Sequence, residues 1–469
     1  MGAPVEHRHL ALIGFMGAGK STLGRRVAAR LARPFVDLDA EIERHAASSI
    51  STIFATRGEV EFRAIEEKLA REALDSAVPA VISLGGGAMV SKATARRLRE
   101  RALTVFVEVD VDEAWKRARR SRRRPLAERE SEFRQLFEQR LPLYEDAADA
   151  RARDADDIVL AAAGVLVGGG SYGRLGELVA EHVEIVVDER VRGLHPPPLE
   201  ATAHAVPAGE LAKTLETCAK LWQDLRLERA GTLVAVGGGS TTDVGGFVAS
   251  AYLRGIAWVA VPTTLVGQVD AAIGGKTGID LPQGKNLVGA FHWPERTVVD
   301  HELLATLPAA ERRNGMAEVV KTGLLAGHEL WELPESELVR RCAAFKAAVC
   351  LRDPGDEGER AMLNLGHTFA HALEAASEYK LPHGEAVALG LTAVLRLSGL
   401  PDDAVRVEEL LEPRRARFDL DAAWAALQRD KKASGGRVQL VLLHAPGKPR
   451  TGVELPEKDV RRALADLIA

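Results

Sequence analysis

Two sets of residues in this chain are spaced for chemistry. The first is Gly14-x-x-x-x-Gly19-Lys20-Ser21, which follows the apolar run Leu10 to Ile13 and opens a helix-compatible stretch from Thr22 to Arg33. A strand, a glycine loop and a helix start in that order aim backbone N–H groups at phosphate oxygens. Lys20 neutralises the outer phosphates and Ser21 ligates magnesium. Gly17, Gly19, Lys20, Ser21 and Thr22 are therefore candidate nucleotide contacts. Asp37 and Asp39 close the next strand-like run, and a period of two puts both carboxylates on one side of it, one for magnesium and one for a hydroxyl acceptor.

The second set lies beyond residue 200. Gly237-Gly238-Gly239 with Asp243 follows the apolar run Thr232 to Val236, and a strand ending in glycines at a helix start is where a dinucleotide pyrophosphate sits, although the G-x-G-x-x-G pattern is absent. Around it stand Glu210 and Lys213, Thr263-Thr264, Gln268-x-Asp270, Gly274-Gly275-Lys276 and Lys285-Asn286. Glu318 and Lys321 fall one turn apart on a helix, and His367-x-x-x-His371 and His383 come later. One carboxylate and two imidazoles with open positions suit zinc acting on a hydroxyl or carbonyl substrate, and admit cobalt. From spacing alone, His367 and His371 are either a ligand pair or one buried and one surface histidine.

The elements that must position these residues alternate. Strands are expected at Pro34–Leu38, Ala80–Leu84 and Leu103–Val109, with a helix over Glu59–Leu74. A second α/β run has strands at Glu184–Val187, Thr232–Val236, Trp258–Val261 and Arg296–Val299. After Asp300 the pattern turns helical, over Ala309–Leu325, Glu335–Leu351, Arg360–Ser377 and Gly384–Leu397. The 469 residues thus read as a P-loop parallel-sheet domain (1–160), a Rossmann-like α/β subdomain (161–300) and a mainly helical metal-binding subdomain (301–469).

Composition excludes several classes. With 62 Lys/Arg against 67 Asp/Glu the net charge is −5, so the chain as a whole is no polyanion binder. The seven cations of Lys116 to Arg124 could be read as a nucleic-acid patch, but in a chain of net negative charge arginines for a phosphate ligand are the better reading. Three cysteines without a Cys-x-x-Cys pair argue against a disulfide framework or thiolate zinc, which fits a cytoplasmic protein. The longest apolar run, Ile158 to Val167, is about half a membrane span, and the N-terminus has no signal-peptide pattern.

Phe35-x-Asp37-x-Asp39, Gly58-Glu59, Phe62-Arg63 with Glu66, Gly85-Gly86-Gly87, Arg124-Pro-Leu and Arg140-x-Pro-Leu-Tyr144, in this order, resemble shikimate kinase over residues 8–155. The resemblance implies ATP with Mg2+ as phosphoryl donor and shikimate as acceptor. Asp39 would contact the ring hydroxyls, and Arg63 and Arg140 would grip the carboxylate. Glu66 would orient Arg63, and Gly85, Gly86 and Gly87 would approach the ring. Arg117 would pack on adenine, Arg124 would act from the lid, and Asp37 would hold magnesium through water. Ala127 departs from the lid pattern, and the terminal helix is expected to be short or missing.

From about residue 165 the later blocks resemble 3-dehydroquinate synthase. That resemblance implies zinc or cobalt on Glu318, His367 and His383, with His371 left for substrate and proton transfer. It implies NAD on Glu210, Lys213, Gly237, Gly238, Gly239, Asp243, Thr263 and Thr264. The substrate, 3-deoxy-D-arabino-heptulosonate 7-phosphate, would meet Asp270, Lys276, Lys285, Asn286, Lys321, Lys346, Arg360 and Asn364. Arg254 would reach a neighbouring subunit, which implies a homodimer, and Lys431 or Lys432 would fold back on the phosphate. The expected whole is a bifunctional enzyme. The alternatives for its second half are another sugar-phosphate cyclase and a catalytically impaired synthase, the latter raised by Thr242, which stands where that family has glycine beside NAD.

Overall fold

The computed structural model describes residues 6–120, 129–179, 181–414, 419–433 and 438–468. Arg124 and Ala127 lie outside the described residues, as do the side chains of Lys431 and Lys432. The chain divides into two units, one ending at Gly164 and the other starting at Val165.

In the first unit, β1 (His9–Ile13), β2 (Phe35–Asp37), β3 (Val81–Ser83), β4 (Ala102–Val107) and β5 (Ala150–Ala152) form a parallel sheet in the order β2-β3-β1-β4-β5. Every residue of β1 and β4 is buried, as expected of central parallel strands covered by helices on both faces. The helices are α1 (Lys20–Arg30), α2 (Leu38–Ala46), α3 (Ile50–Asp75), α4 (Lys92–Arg101), α5 (Val111–Arg119), α6 (Glu130–Ala147) and α7 (Ala155–Ala162). The terminal helix is thus present but short. Phe15 of the glycine loop packs edge-on against Phe133 and Phe137 of α6 at 5.0 and 5.1 Å, which ties the phosphate loop to the helix that carries Arg140.

Two expectations change here. The strand stops at Asp37, and Asp39 sits in the first turn of α2. Leu38 and Ile42, both fully buried and four apart, draw the chain into a helix, so the two carboxylates are not strand neighbours of period two. The helix through Glu59–Leu74 begins earlier, at Ile50, and is broken at Gly58, whose φ of 80° is left-handed.

The second unit opens with β6 (Val165–Val167), α8 (Leu175–Leu178), β7 (Val183–Asp188), α9 (Glu189–Leu194), β8 (Thr202–Val206), α10 (Leu215–Asp224), β9 (Thr232–Gly237), α11 (Gly239–Ala251) and β10 (Ala257–Pro262). With β13 (Arg296–Val299) they give a parallel sheet ordered β6-β13-β10-β9-β7-β8. Between β10 and β13, the polar stretch read only as a series of motifs forms an antiparallel hairpin, β11 (Lys276–Leu281) and β12 (Gly284–Phe291).

The helical part holds α12 (Ala309–Ala326), α13 (Glu335–Arg352), α14 (His367–Ala376), α15 (His383–Leu397), α16 (Pro401–Leu411), α17 (Leu420–Ala433) and α18 (Glu457–Ala465). It is not wholly helical: β14 (Leu440–Ala445) and β15 (Lys448–Val453) add a hairpin. The expected helix Arg360–Ser377 is two elements, a 3-10 turn over Glu359–Asn364 and then α14, parted at Gly366 with φ 79°. Helix α12 is buried from Ala317 to Leu325, and it carries Glu318 and Lys321 into the middle of the subdomain. Among the described residues no helix is long and apolar enough to cross a membrane.

The start of α14 is set by a contact between two glycines. A Cβ on Gly390 of α15 would collide with the carbonyl oxygen and carbon of Gly366, the residue before His367. Gly390→Ala is therefore expected to lower the stability of the second unit by about 1–3 kcal/mol and to weaken metal retention. Denaturant melts of the full chain check the first effect and metal content after dialysis the second; unchanged values for both would contradict it.

Candidate active sites

In the first unit the glycine loop has the backbone that phosphate binding needs. Gly17 and Gly19 have φ of 89° and 87°, and a Cβ on Gly17 would lie 2.6 Å from the Ala114 carbonyl oxygen. Gly19 is the N-cap of α1, with no side-chain cap and no acidic residue in the first turn, so the helix start is left to an anion. Lys20, buried, turns its Nζ back onto the carbonyls of Gly14 (2.7 Å) and Phe15 (3.1 Å). Ser21 Oγ lies 3.5 Å from Ser83 Oγ, and Thr22 is exposed in the same turn. Arg117 Nη1 donates to Gly17 O at 3.2 Å, at the mouth of the loop. Asp37, at the end of β2, accepts from Arg25 of α1 at 3.3 Å.

The acceptor side assembles around the glycines after β3. Arg63 lies over Gly87 and pairs with Glu66 at 2.6 Å and with Glu59 at 3.1 Å. A Cβ on Gly85 would meet the carboxylates of Glu66 and Asp39, and Arg140 Nη1 donates to Gly86 O at 3.1 Å. Asp39, Arg63, Glu66, Gly85, Gly86, Gly87 and Arg140 are thus gathered in one place. Burial raises the Glu66 pKa against the pull of Arg63. Tyr144, quoted in the motif but given no role, donates its hydroxyl to Gly86 O; burial pushes that hydroxyl up to about 12. Its spacing, one turn after Arg140 on α6, was the available signal.

In the second unit Gly237 ends β9, Gly238 caps α11 and Gly239 is its first residue. The cap has no side-chain hydrogen bond and no acid in the first turn, and added Cβ atoms on Gly238 and Gly239 would meet Thr264 at 3.1 Å and Ala271 at 2.9 Å. Both features fit a pyrophosphate lying on bare backbone. Thr263 N donates to Gly237 O at 2.8 Å, placing both threonines at this turn. Lys213 bridges Asp243 (2.8 Å) and the Asn286 amide oxygen, and Ser240 donates to Glu210 at 2.9 Å. Burial pushes the Asp243 carboxyl up to about 6, although Lys213 opposes it. Thr242 lies inside α11, 1% exposed, without positive φ, and donates to Gly239 O at 2.9 Å. The position does not need a glycine's φ, which removes that ground for expecting weaker NAD binding.

Asp270 sits in a single π-helical turn, Gly267–Ala271, and draws in two lysines. Lys321 Nζ is 2.9 Å from its carboxylate, and Lys346 reaches its carboxylate and, at 2.7 Å, its carbonyl. Burial lowers the Lys346 ammonium to about 8. Arg360, 3% exposed, donates Nη2 to Gly274 O at 3.0 Å, while its Nη1 has no partner among the described residues. Lys276 pairs with Asp356, which sequence reasoning did not single out. Asn364 is exposed at the end of the 3-10 turn. Arg254 is exposed with φ 66°.

One ligand atom each from Glu318, His367 and His383 lies within 4.8 Å of the others, the only such group found among the described residues. Both Nε2 atoms face Glu318 Oε1, at 3.4 Å from His367 and 3.1 Å from His383. His367 Nδ1 is 3.2 Å from Leu365 O and His383 Nδ1 is 3.3 Å from Glu374. With both Nδ1 atoms tied down, the Nε2 lone pairs are free for a metal, and the set fits zinc with open positions. Burial alone would raise the Glu318 pKa, but Lys321, His367 and His383 hold it well below the ordinary carboxylate value. Burial would likewise lower His383, yet Glu318 and Glu374 push it up to about 9. His371 is not one of this trio; it is itself exposed, with its ring 5.5 Å from that of His367. Glu374 was missed, although His367, His371 and Glu374 at i, i+4 and i+7 share one helix face.

A family model for shikimate kinase matches residues 16–165, and those for the N-terminal and C-terminal parts of 3-dehydroquinate synthase match 203–314 and 315–433. The 3-dehydroquinate synthase of Methylacidiphilum infernorum is 40% identical over 335 residues, which cover 65% of this chain and 94% of that protein. That of Gloeobacter violaceus is 41% identical over 341 residues, covering 64% and 94%. Among solved structures, 2-epi-5-epi-valiolone synthase from Streptomyces hygroscopicus subsp. jinggangensis, with NAD+ and Zn2+ bound, is similar with a TM-score of 0.58 at 27% identity, over 65% of this chain and 96% of that one.

Arg63→Ala is expected to leave Glu66, 3% exposed, without its closest cation and to destabilise the first unit by about 1–3 kcal/mol. The sign with pH follows from the raised Glu66 pKa. Folding then takes up protons between the unfolded and folded values, so the loss is larger at pH 8 than at pH 5, where the carboxyl is nearer neutrality. Thermal melts of the two proteins at both pH values check this; a loss independent of pH would contradict it.

Proposed function

Because the chain belongs to the 3-dehydroquinate synthase family and carries a shikimate kinase domain ahead of it, we propose specific roles for its residues in two reactions. The first unit phosphorylates shikimate from ATP. Lys20 leaves the loop carbonyls for the transferred phosphate, the bare start of α1 holds the others, and Ser21 and Asp37 fit a magnesium ion that screens their charge. Arg63 and Arg140 clamp the acceptor carboxylate over Gly86 and Gly87. Asp39 accepts the proton of the attacking hydroxyl.

The second unit converts 3-deoxy-D-arabino-heptulosonate 7-phosphate to 3-dehydroquinate and phosphate. One observation carries the substrate class: Arg360, 3% exposed, has no hydrogen-bond partner for its Nη1 among the described residues, and its charge helps to lower the pKa of Lys346, which shares Asp270 with Lys321. A guanidinium buried there asks for an anion, and a carboxylate on the substrate supplies it. Lys276, Lys285, Asn286 and Asn364 serve the remaining substrate oxygens, and His371, beside the metal trio, moves a proton at the substrate. Glu210, Lys213, Asp243, Thr263, Thr264 and the Gly237–Gly239 turn hold NAD, and Glu318, His367 and His383 hold zinc or cobalt. When bound, NAD takes up and returns a hydride while the metal polarises oxygens on the ring.

Phosphate release from that heptulosonate, with and without NAD and with a zinc-selective chelator, tests the reading. The expected result is NAD-dependent, chelator-sensitive release yielding 3-dehydroquinate, and shikimate-dependent ADP formation that needs magnesium but not NAD. The similarity to a valiolone synthase makes another carbocycle the competing outcome, and a different product or no release would overturn the assignment.

The cytoplasmic setting is part of this proposal, and so is a homodimer. Leu253 and Arg254 both have positive φ, a strained turn that pushes an arginine outward beside an exposed leucine, and Leu287 and Phe291 of β12 are 57% and 56% exposed. A second copy covering these residues would receive Arg254 at its phosphate site. Sedimentation at micromolar concentration is expected to give a dimer, and a monomer would refute it.

A further inference from the structure

We propose that Glu374 is a positioning residue of the metal site, whose carboxylate takes the Nδ1–H of His383 and also holds Lys285. The inference rests on Glu318, His367 and His383 being the metal ligands. Glu374 is 4% exposed on α14, two turns from His367, and its Oε1 lies 3.3 Å from His383 Nδ1. The same oxygen is 3.9 Å from Lys285 Nζ, and Lys285 in turn lies 5.0 Å from the centre of the Tyr379 ring.

The argument is one of tautomers. His383 presents Nε2 to Glu318, so coordination through Nε2 puts its proton on Nδ1, where an acceptor must stand. A carboxylate in that place fixes the ring plane and raises the basicity of the nitrogen that binds the metal. His367 is held by the neutral carbonyl of Leu365, so the two histidines differ and His383 is the more strongly polarised ligand. Because β12 carries Lys285 and α14 carries Glu374, the same carboxylate ties the hairpin of the α/β part to the metal-bearing helices.

The test uses the full chain and zinc itself. The zinc dissociation constant is measured by competition with a chromogenic chelator, and visible absorption of the cobalt-substituted protein reports ligand geometry. Glu374→Ala is expected to raise the zinc dissociation constant about 10–100-fold and to alter the cobalt bands. Glu374→Gln, whose amide oxygen still accepts from Nδ1, is expected to lose less and to keep the wild-type melting temperature without metal. Lys285→Ala is expected to bind zinc as the wild type does, since its charge is not needed to orient the ring. Wild-type zinc affinity in both Glu374 variants, with Glu318→Gln deficient, overturns the proposal alone. Wild-type affinity in Glu318→Gln as well overturns the ligand assignment on which it rests. Should Glu374→Ala fail to fold, the isosteric glutamine variant decides.

Discussion

The second unit is organised around the buried carboxylate of Glu318. At 1% exposure on the most enclosed part of α12, an ionised carboxylate is tolerable only with cations or hydrogen-bond donors against it. Lys321 supplies a charge one turn along, and two imidazoles arrive from α14 and α15. This requirement dictates much of the surrounding fold. Helix α14 begins just after Gly366, α15 crosses it at Gly390 with no side chain between, and α12 is buried from Ala317 to Leu325. Lys321 then has a second carboxylate, Asp270, and Asp270 a second lysine, Lys346, so that opposite charges alternate from Glu318 to Lys346.

The first unit meets a similar demand with a different device. Glu66, 3% exposed on α3, is paired with the half-buried Arg63, and Gly85 and Gly87 lie where any larger residue would displace both side chains. Its nucleotide loop relies on the freedom of glycine, with positive φ at Gly14, Gly17 and Gly19, and on a lysine folded onto loop carbonyls. In both units a helix start lacks a capping side chain, at Gly19 and at Gly238, and is open to an anionic ligand. The ligand then takes the place of the cap, which is how a short loop between a strand and a helix comes to bind phosphate.

Several residues were legible from the chain alone because their chemistry is local. The glycine loop needs only neighbours in sequence, and so does the strand, glycine, helix order around Gly237. Residue types and order carried the resemblance to two enzyme families, and the kinase and synthase matches agree with it. The candidate metal ligands were named through that resemblance, since spacing by itself left His367 and His371 undecided.

Tertiary structure decided what depends on partners far apart in the chain. Only folding sets Arg63 over Gly87, leaves Arg360 Nη1 without a hydrogen-bond partner among the described residues, and brings Glu374, 89 residues from Lys285, to the nitrogen of His383 opposite Glu318. Asp39 was misplaced for a related reason: local alternation suggested a strand, but Leu38 and Ile42 had a core to fill, and burial prevailed over pattern. Sequence by itself determined which groups are available and which loops can bind phosphate, since backbone conformation at glycine is a local property. Which histidine faces Glu318, and what holds its other nitrogen, was decided by helix packing, since those distances exist only once α12, α14 and α15 share one core.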